Sequence, residues 1–426
     1  MARDETPSRV RSIIGGSIGN LVEWYDWYVY SAFSLYFAAS FFPKGDTTAQ
    51  LLNAAAVFAI GFLMRPVGGW LLGVYADRHG RKAGLTLSVW LMCAGSLAIA
   101  VAPSYAQVGV LAPVLLVAAR LVQGLSVGGE YGASATYLSE LSGDRHRGFL
   151  ASFQYVTLIS GQLLALGVLL LLQRWLTEPE LAAWGWRIPF AIGALASLAA
   201  LQLRRRLVET TAFQQLDRSH QTGLLRRLLD HPRAVATVIA LGAGGSLAFY
   251  TFTTYMQKFL VNTSGWSKAD ASLVSAGTLL IYMAIQPLFG ALSDRFGRRP
   301  QLIAFGALGL IGTVPLLTTL AHTSDHTEAF VLILAALTVL SAYTAISGVV
   351  KAELFPTDIR ALGVGLPYAL SVSLFGGTAE YVALWFKGRG AESGFFWYVA
   401  AMCGVSLIAA LLLPQMRLSK PKSMVI

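Results

Sequence analysis

The chain has 426 residues, 55% of them hydrophobic and only 13% charged, with a mean hydropathy of +0.59. A soluble fold of this length cannot hide that much apolar surface, because accessible surface grows almost as fast as mass; the bilayer is the solvent that fits. The net charge of +10 suggests nucleic acid at first sight, but the distribution of the basic residues among the loops argues otherwise.

With about 20 apolar residues per span, the chain reads as an all-α membrane protein. Spans are expected near 13–41, 50–76, 84–103, 108–140, 148–173 and 186–204, and again near 234–260, 269–293, 300–320, 327–352, 361–386 and 393–413. The expected units are residues 1–203, a polar linker 204–233, and residues 234–426 with a short tail. The first apolar stretch runs into aromatic and charged sequence without a small-residue cleavage site, so no cleavable signal peptide is expected. Cys93 and Cys403 sit in apolar runs and read as small core residues.

An even number of spans puts both termini on one side. Loops on that side carry about 22 Lys and Arg, against about 6 on the other, which places both termini in the cytoplasm. The basic balance is thereby explained without nucleic acid.

Two patterns repeat at half the chain length. Gly73-Val-Tyr-Ala-Asp77-Arg78-His-Gly80-Arg81-Lys82 returns as Gly290-Ala-Leu-Ser-Asp294-Arg295-Phe-Gly297-Arg298-Arg299. Glu140 precedes Arg147 by seven residues, and Glu353 precedes Arg360 by seven. Two motifs in register indicate two homologous six-helix halves related in parallel. The basic residues alone would serve topology, but Asp77, Asp294, Glu140 and Glu353 contribute little to it.

Ionisable groups at bilayer depth are costly and mark function. Glu23, Asp26, Arg65, Arg120, Glu130, Lys258, Lys351 and Glu380 fall there. At 1.5 Å per residue, Asp26 lies roughly 20 Å deep, Arg65 about 18 Å, and Arg120 about 30 Å from the cytoplasmic end of its helix. Helix tilt brings Asp26 and Arg120 together as a proton-coupling pair, or as a purely structural ion pair. In the first case protonation of the carboxylate is tied to whether the guanidinium is engaged elsewhere. Glu130 and Glu23 are a second proton carrier or buried hydrogen-bonded acids. Arg65, Arg120 and Lys258 offer cations to a carboxylate substrate, with arginine supplying a bidentate fork. Lys258 is the better specificity candidate, unless it snorkels to the membrane surface. Glu380 sits in the glycine-loosened run Gly376-Gly377-Thr378-Ala379-Glu380 and is a candidate for substrate or proton traffic. Tyr155, Tyr255 and Gln257 are candidates to line the cavity; Trp24, Tyr25, Tyr28 and Tyr250 join them. No metal spacing, P-loop or nucleophile–base constellation is visible, so neither an enzyme nor an ATP-driven pump is expected.

The duplicated Gly-x-x-x-Asp-Arg-x-Gly-Arg-[Lys/Arg] loop resembles the signature of the major facilitator superfamily. That resemblance implies 12 transmembrane helices in two six-helix bundles, with substrate bound near the midplane and access alternating as the halves rock. It implies that Asp77 meets the N-terminal end of helix 11 beyond Arg360. Arg81 and Arg147 would bridge Glu140, and Arg298 and Arg360 would bridge Glu353. Arg78, Gly80 and Arg295 complete the gating set. Arg120-Leu-Val-Gln-Gly124, Tyr137-Leu-Ser-Glu140 and Gly161-Gln162-Leu-Leu164 resemble the sugar-porter branch, which implies a substrate contact for Gln162. Asn20-Leu-Val-Glu23-Trp-Tyr-Asp26, Gly61-Phe-Leu-Met-Arg65-Pro66-Val-Gly68-Gly69, Gln123-Gly-Leu-Ser-Val-Gly-Gly-Glu130 and Trp186-Arg187-Ile-Pro189-Phe190 are similar to the metabolite:proton symporter family. This implies a monomeric inner-membrane symporter that needs no cofactor beyond the coupling proton. Tyr250-Thr-Phe-Thr-Thr-Tyr255-Met-Gln257-Lys258 and the run from Gly148 to Gln162 are most similar to dicarboxylate-carrying members, implying 2-oxoglutarate as substrate. Citrate, shikimate, a betaine or proline are the alternatives, and a non-transporting sensor is a third class.

Overall fold

The structure, a computed structural model, describes residues 9–43, 45–79, 81–128, 146–205, 224–356 and 359–413. Twelve long helices run through these segments. They are α1 (Arg9–Phe41), α2 (Thr47–His79), α3 (Arg81–Val101), α4 (Leu111–Val127), α5 (Arg147–Trp175) and α6 (Arg187–Arg205). The second half contributes α7 (Pro232–Asn262), α8 (Lys268–Phe296), α9 (Arg298–His322), α10 (His326–Glu353), α11 (Leu362–Gly388) and α12 (Ser393–Leu412). Among the described residues, eight of them are long and apolar enough to cross a membrane. α6 makes nine when joined to the segment Glu178–Gly185, which meets it at a 47° bend.

Local chemistry sets the helix ends. Ser267 accepts the Asp270 N–H at 3.0 Å to start α8, and Asp325 accepts the Thr327 N–H at 2.8 Å to start α10. Pro232 opens α7, where its missing N–H costs nothing. Between α8 and α9 the chain turns on a single residue, Gly297, at φ 91°. A side chain is strained there, which explains the glycine in the repeated motif.

α1 is enclosed: every side chain from Glu23 to Ser34 is buried, as expected of a helix apolar on all sides. Elsewhere large apolar groups face outward, including Trp70 at 67% exposure and Ile311 at 74%. Facing lipid, they lose nothing by exposure. α2 and α4 cross at a seam of small residues. A Cβ on Gly124 would strike the Gly61 carbonyl, and one on Gly128 would strike that of Arg65. Such contact is the usual basis of helix association where no hydrophobic effect drives it. It sets Arg65 and Arg120 on adjoining faces.

The halves meet along α5–α8 and α2–α11. Three helical paths are broken by π-helical turns: Leu181–Gly185 before α6, Tyr250–Tyr255 within α7, and Val372–Gly376 within α11. Such turns gather at functional sites.

Candidate functional site

The first-half charges form one cluster. Asp26, fully buried on α1, accepts a very short hydrogen bond from Ser96 on α3 and another from Gln123 Nε2 at 2.7 Å. Gln123 Oε1 in turn accepts from Arg120 at 2.9 Å. Asp26 and Arg120 therefore do not pair directly; Gln123, one turn beyond Arg120 on α4, stands between them. Room for the carboxylate comes from Gly193 on α6, where a Cβ would collide with Asp26 Oδ1. Glu23 is buried one turn before Asp26.

Two guanidiniums share one aromatic ring. Arg120 stacks on Trp27 at 4.0 Å and Tyr30 at 4.4 Å, while Arg65 lies 4.4 Å from Trp27, 4.0 Å from Phe62 and 5.0 Å from Trp24. Each cation–π contact offsets desolvation by about 0.5–2 kcal/mol. A buried guanidinium also needs acceptors, yet among the described residues Nε and Nη2 of both arginines have none. Four charged N–H-bearing nitrogens so placed are matched to carboxylate oxygens.

The second half closes this region from the other side. Lys258, fully buried on α7, donates to Glu380 on α11 at 2.6 Å and to Ser31 on α1 at 2.5 Å. Snorkelling to the membrane surface is thus corrected. Lys258 lies one turn inside the end of α7, but α1 and α11 cover it and supply its acceptors. Gln162 on α5 donates to the Thr253 carbonyl in the π-helical turn at 2.7 Å, and Gln257 donates to Ser272 at 2.8 Å. A narrow cavity lies between the halves, lined by Tyr28, Ser31, Gln162, Thr253, Gln257 and Ser275, among others. Tyr155 reaches Tyr368 across the interface, hydroxyl to hydroxyl at 3.5 Å. Tyr255 packs its ring against Phe259 and Phe395 and is not among the cavity-lining residues.

Both ends of the interface are in contact. At the end bearing the α8–α9 turn, Asp294 accepts the main-chain N–H groups of Gly148 (2.8 Å) and Phe149 (2.9 Å) at the start of α5. α5 and α8 approach closely because Gly148 and Gly290 face each other; a Cβ on either meets the other's carbonyl oxygen at 2.5 Å. Arg298 bridges Asp294 at 3.0 Å and Glu353 at 3.4 Å, and Arg147 also acts electrostatically on Glu353. Arg360 donates to the Ala352 carbonyl at 3.1 Å, and Arg295 is exposed against Phe296. At the opposite end Gln173 donates to Ser272, Asn262 reaches Thr48, and Lys268 pairs with Glu178. Gly80, Glu130, Glu140 and the side chains of Asp77, Arg78 and Arg81 lie outside the described residues.

Known proteins share this architecture. Residues 13–223 match the family model of sugar (and other) transporters, and residues 257–424 that of the major facilitator superfamily. Alpha-ketoglutarate permease of Escherichia coli (strain K12) is 54% identical over 413 residues, spanning 97% of this chain and 95% of that one. The chain belongs to the major facilitator superfamily. Among the metabolite carriers of that superfamily, the citrate-proton symporter of Klebsiella pneumoniae is 33% identical, covering 93% of this transporter and 90% of its own length. The proline/betaine transporter of Salmonella typhimurium is 32% identical, covering 88% and 77%. The xylose transporter of E. coli, solved in a partially occluded inward-open conformation, superposes with a TM-score of 0.73 at 20% identity, over 95% of this transporter and 97% of that chain. The twelve-helix, two-bundle fold expected from the duplicated loop, and the membership among metabolite symporters expected from the Asn20–Asp26, Gly61–Gly69, Gln123–Glu130 and Trp186–Phe190 motifs, are borne out.

Some of the transporter's central residues carried no distinct signal in the sequence. Trp27, Ser31, Ser96 and Gly193 are residue types common in any apolar helix. Gln123 had one usable cue, its position three residues after Arg120 on the same helical face. Lys351 stood out by charge alone; it is buried over the Tyr368 ring at 3.5 Å and donates to Ser347.

Proposed function

We propose that this transporter couples inward movement of protons to uptake of a small organic dicarboxylate, 2-oxoglutarate, by alternating access. The observation that carries the substrate class is the pair of buried guanidiniums, Arg65 and Arg120, both against the Trp27 ring, whose Nε and Nη2 groups have no partner among the described residues. A dry cavity takes a dianion only where fixed cations replace its water. The choice within that class rests on the 54% identical alpha-ketoglutarate permease. Gln162, Gln257 and Tyr155 contribute polar contacts around the cavity, and Tyr255 supports its wall.

Asp26 is the coupling carboxylate in this scheme. Protonation cancels the charge that Ser96 and Gln123 solvate, frees the Gln123 amide to turn, and so releases Arg120. Substrate carboxylate and proton then arrive as a set, with no other cofactor. The gate is the Asp294 cap on α5, with Asp77 as its first-half counterpart at the start of α11. The gate end faces the cytoplasm, as do both termini, and residues 204–233 link the halves. The working unit is a monomer in the bacterial inner membrane, because one chain supplies both halves of the site.

Reconstituted vesicles with an inward proton gradient test this directly. Labelled 2-oxoglutarate should accumulate, a protonophore should abolish accumulation, and unlabelled dicarboxylates should compete. Uptake indifferent to the protonophore would defeat proton coupling. Competition by betaine or proline but not by dicarboxylates would defeat the substrate assignment.

A further inference from the structure

The Lys258–Glu380 pair has no part in the scheme above, yet it is the most completely buried ion pair among those described. Lys258 has 0% side-chain exposure and Glu380 5%. The pair joins three helices: Lys258 follows the π-helical turn of α7, Glu380 follows that of α11, and Ser31 belongs to α1. A purely structural pair is poorly suited to this place. Burying two charges commonly costs as much as their attraction returns, and an apolar pair of similar volume would hold the helices as well.

Position offers a functional reason. Ser31, which accepts from Lys258, also lines the central cavity, as does Gln257, the neighbour of Lys258. Tyr30 lies between the two charged clusters: its ring stacks on Arg120, and its hydroxyl feels the Glu380 charge. Lys258 is therefore a second-half cation one contact from the cavity lining, through Ser31, and the group on it is already a carboxylate.

We infer that Glu380 is an internal stand-in for a substrate carboxylate, and that the two exchange on Lys258 while Glu380 takes up a proton. In this exchange the Lys258 N–H···O contact passes from Glu380 Oε2 to a substrate carboxylate oxygen. One proton from the aqueous side of the open cavity adds to Glu380, which would otherwise be a buried anion beside another anion. No covalent bond other than that O–H forms, and Lys258 stays an ammonium. When substrate leaves, the proton leaves Glu380 and the pair re-forms. The transporter thereby has a second proton site, in its second half, tied to occupancy by an anion. The other titratable groups facing Glu380 are Tyr255 on α7 and Tyr30 on α1. α2 packs along α11 and carries one charged residue between Thr47 and Leu72, Arg65; α12 carries none.

This inference rests on the dicarboxylate assignment, and the experiment separates the two. Purified transporter in weak buffer with a pH indicator is mixed with saturating 2-oxoglutarate. The natural protein should take up protons on binding. Glu380→Gln should take up one proton fewer per bound substrate and bind at least as tightly, since Lys258 is no longer occupied. Unchanged proton uptake in Glu380→Gln overturns the inference. So does a loss of binding equal to that of Lys258→Met, which marks a brace and not a competitor. If Glu380→Gln does not fold, the charge-neutral Lys258→Met/Glu380→Gln protein takes its place. It should bind about tenfold or more weakly and also lack one proton; undiminished uptake rejects exchange. Should the natural protein fail to bind 2-oxoglutarate, the substrate assignment falls, and infrared difference spectra without substrate decide the inference. Lys258→Met should show a protonated-carboxyl band that Glu380→Gln in that background removes, and absence of the band overturns the inference.

Discussion

Replacing Asp294 with asparagine tests the gate at a single carboxylate. The first amides of a helix have no acceptor within it. Gly148 and Phe149 are the second and third residues of α5, and among the described residues their N–H groups are held by Asp294, at 2.8 and 2.9 Å. Asparagine keeps one acceptor oxygen, turns an NH₂ toward the other N–H, and removes the charge that favours a helix N-terminus. It also removes the negative charge that Arg298 pairs with at 3.0 Å. A charge-assisted hydrogen bond in a half-buried place contributes about 1.5–3 kcal/mol. A loss of about 2–3 kcal/mol corresponds to a 30- to 150-fold shift toward the open gate, at roughly 1.4 kcal/mol per factor of ten. Hydrogen exchange of the peptide beginning at Arg147, in lipid nanodiscs, reads this directly, because these amides are protected only while the gate is shut. Protection of Gly148 and Phe149 should fall by about that factor, with the middle of α5 unchanged. Wild-type protection in Asp294→Asn would show that the cap does not hold the halves together.

Further outcomes follow from the central cluster and its packing. Asp26→Asn should abolish gradient-driven accumulation in vesicles and retain substrate exchange; equal accumulation would remove Asp26 from coupling. Gln123→Leu should impair coupling nearly as much, because the carboxylate and Arg120 communicate through that amide; preserved accumulation would mean that they communicate otherwise. Arg120→Lys keeps the charge but loses the planar fork, and should raise the KM for dicarboxylate uptake about tenfold or more; an unchanged KM would deny it a substrate role. Gly124→Val should lower the Tm of the purified protein, since the added atoms meet the Gly61 backbone and overpacking costs about 1–3 kcal/mol; an unshifted Tm would show that the α2–α4 seam yields.

Legibility in the sequence followed the range of the interaction. The spans were readable because apolar length is a local property, and the two halves because Gly290-Ala-Leu-Ser-Asp294 copies Gly73-Val-Tyr-Ala-Asp77. A motif aspartate at a helix start across the interface was expected by resemblance for Asp77. The structure displays that arrangement at its repeat mate Asp294, with α5 as the receiving helix. Contacts between helices were not readable. Counting residues along α7 correctly put Lys258 near its far end, but such counting says nothing about what α1 and α11 lay over it. Depth put Asp26 and Arg120 about 10 Å apart, to be joined by helix tilt, and could not reveal that an amide stands between them. The breaks at Tyr250–Tyr255 and Val372–Gly376 escaped notice because a π-helical turn adds a residue without disturbing an apolar run. Only the glycines at 376 and 377 hinted at one of them.

Those breaks divide mechanical compliance unequally between the bundles. α1, α2 and α5, which form the first-half side of the interface, run for 33, 33 and 29 residues without a π-helical turn, α2 with Pro66 inside it. Facing them, α7 and α11 each change pitch midway, beside the residues that meet the cavity or the ion pair. Changes of pitch on the second-half side therefore sit in α7 and α11, while α8, which meets α5, runs for 29 residues without one. The two halves share a repeated sequence but not the placing of these turns at the interface.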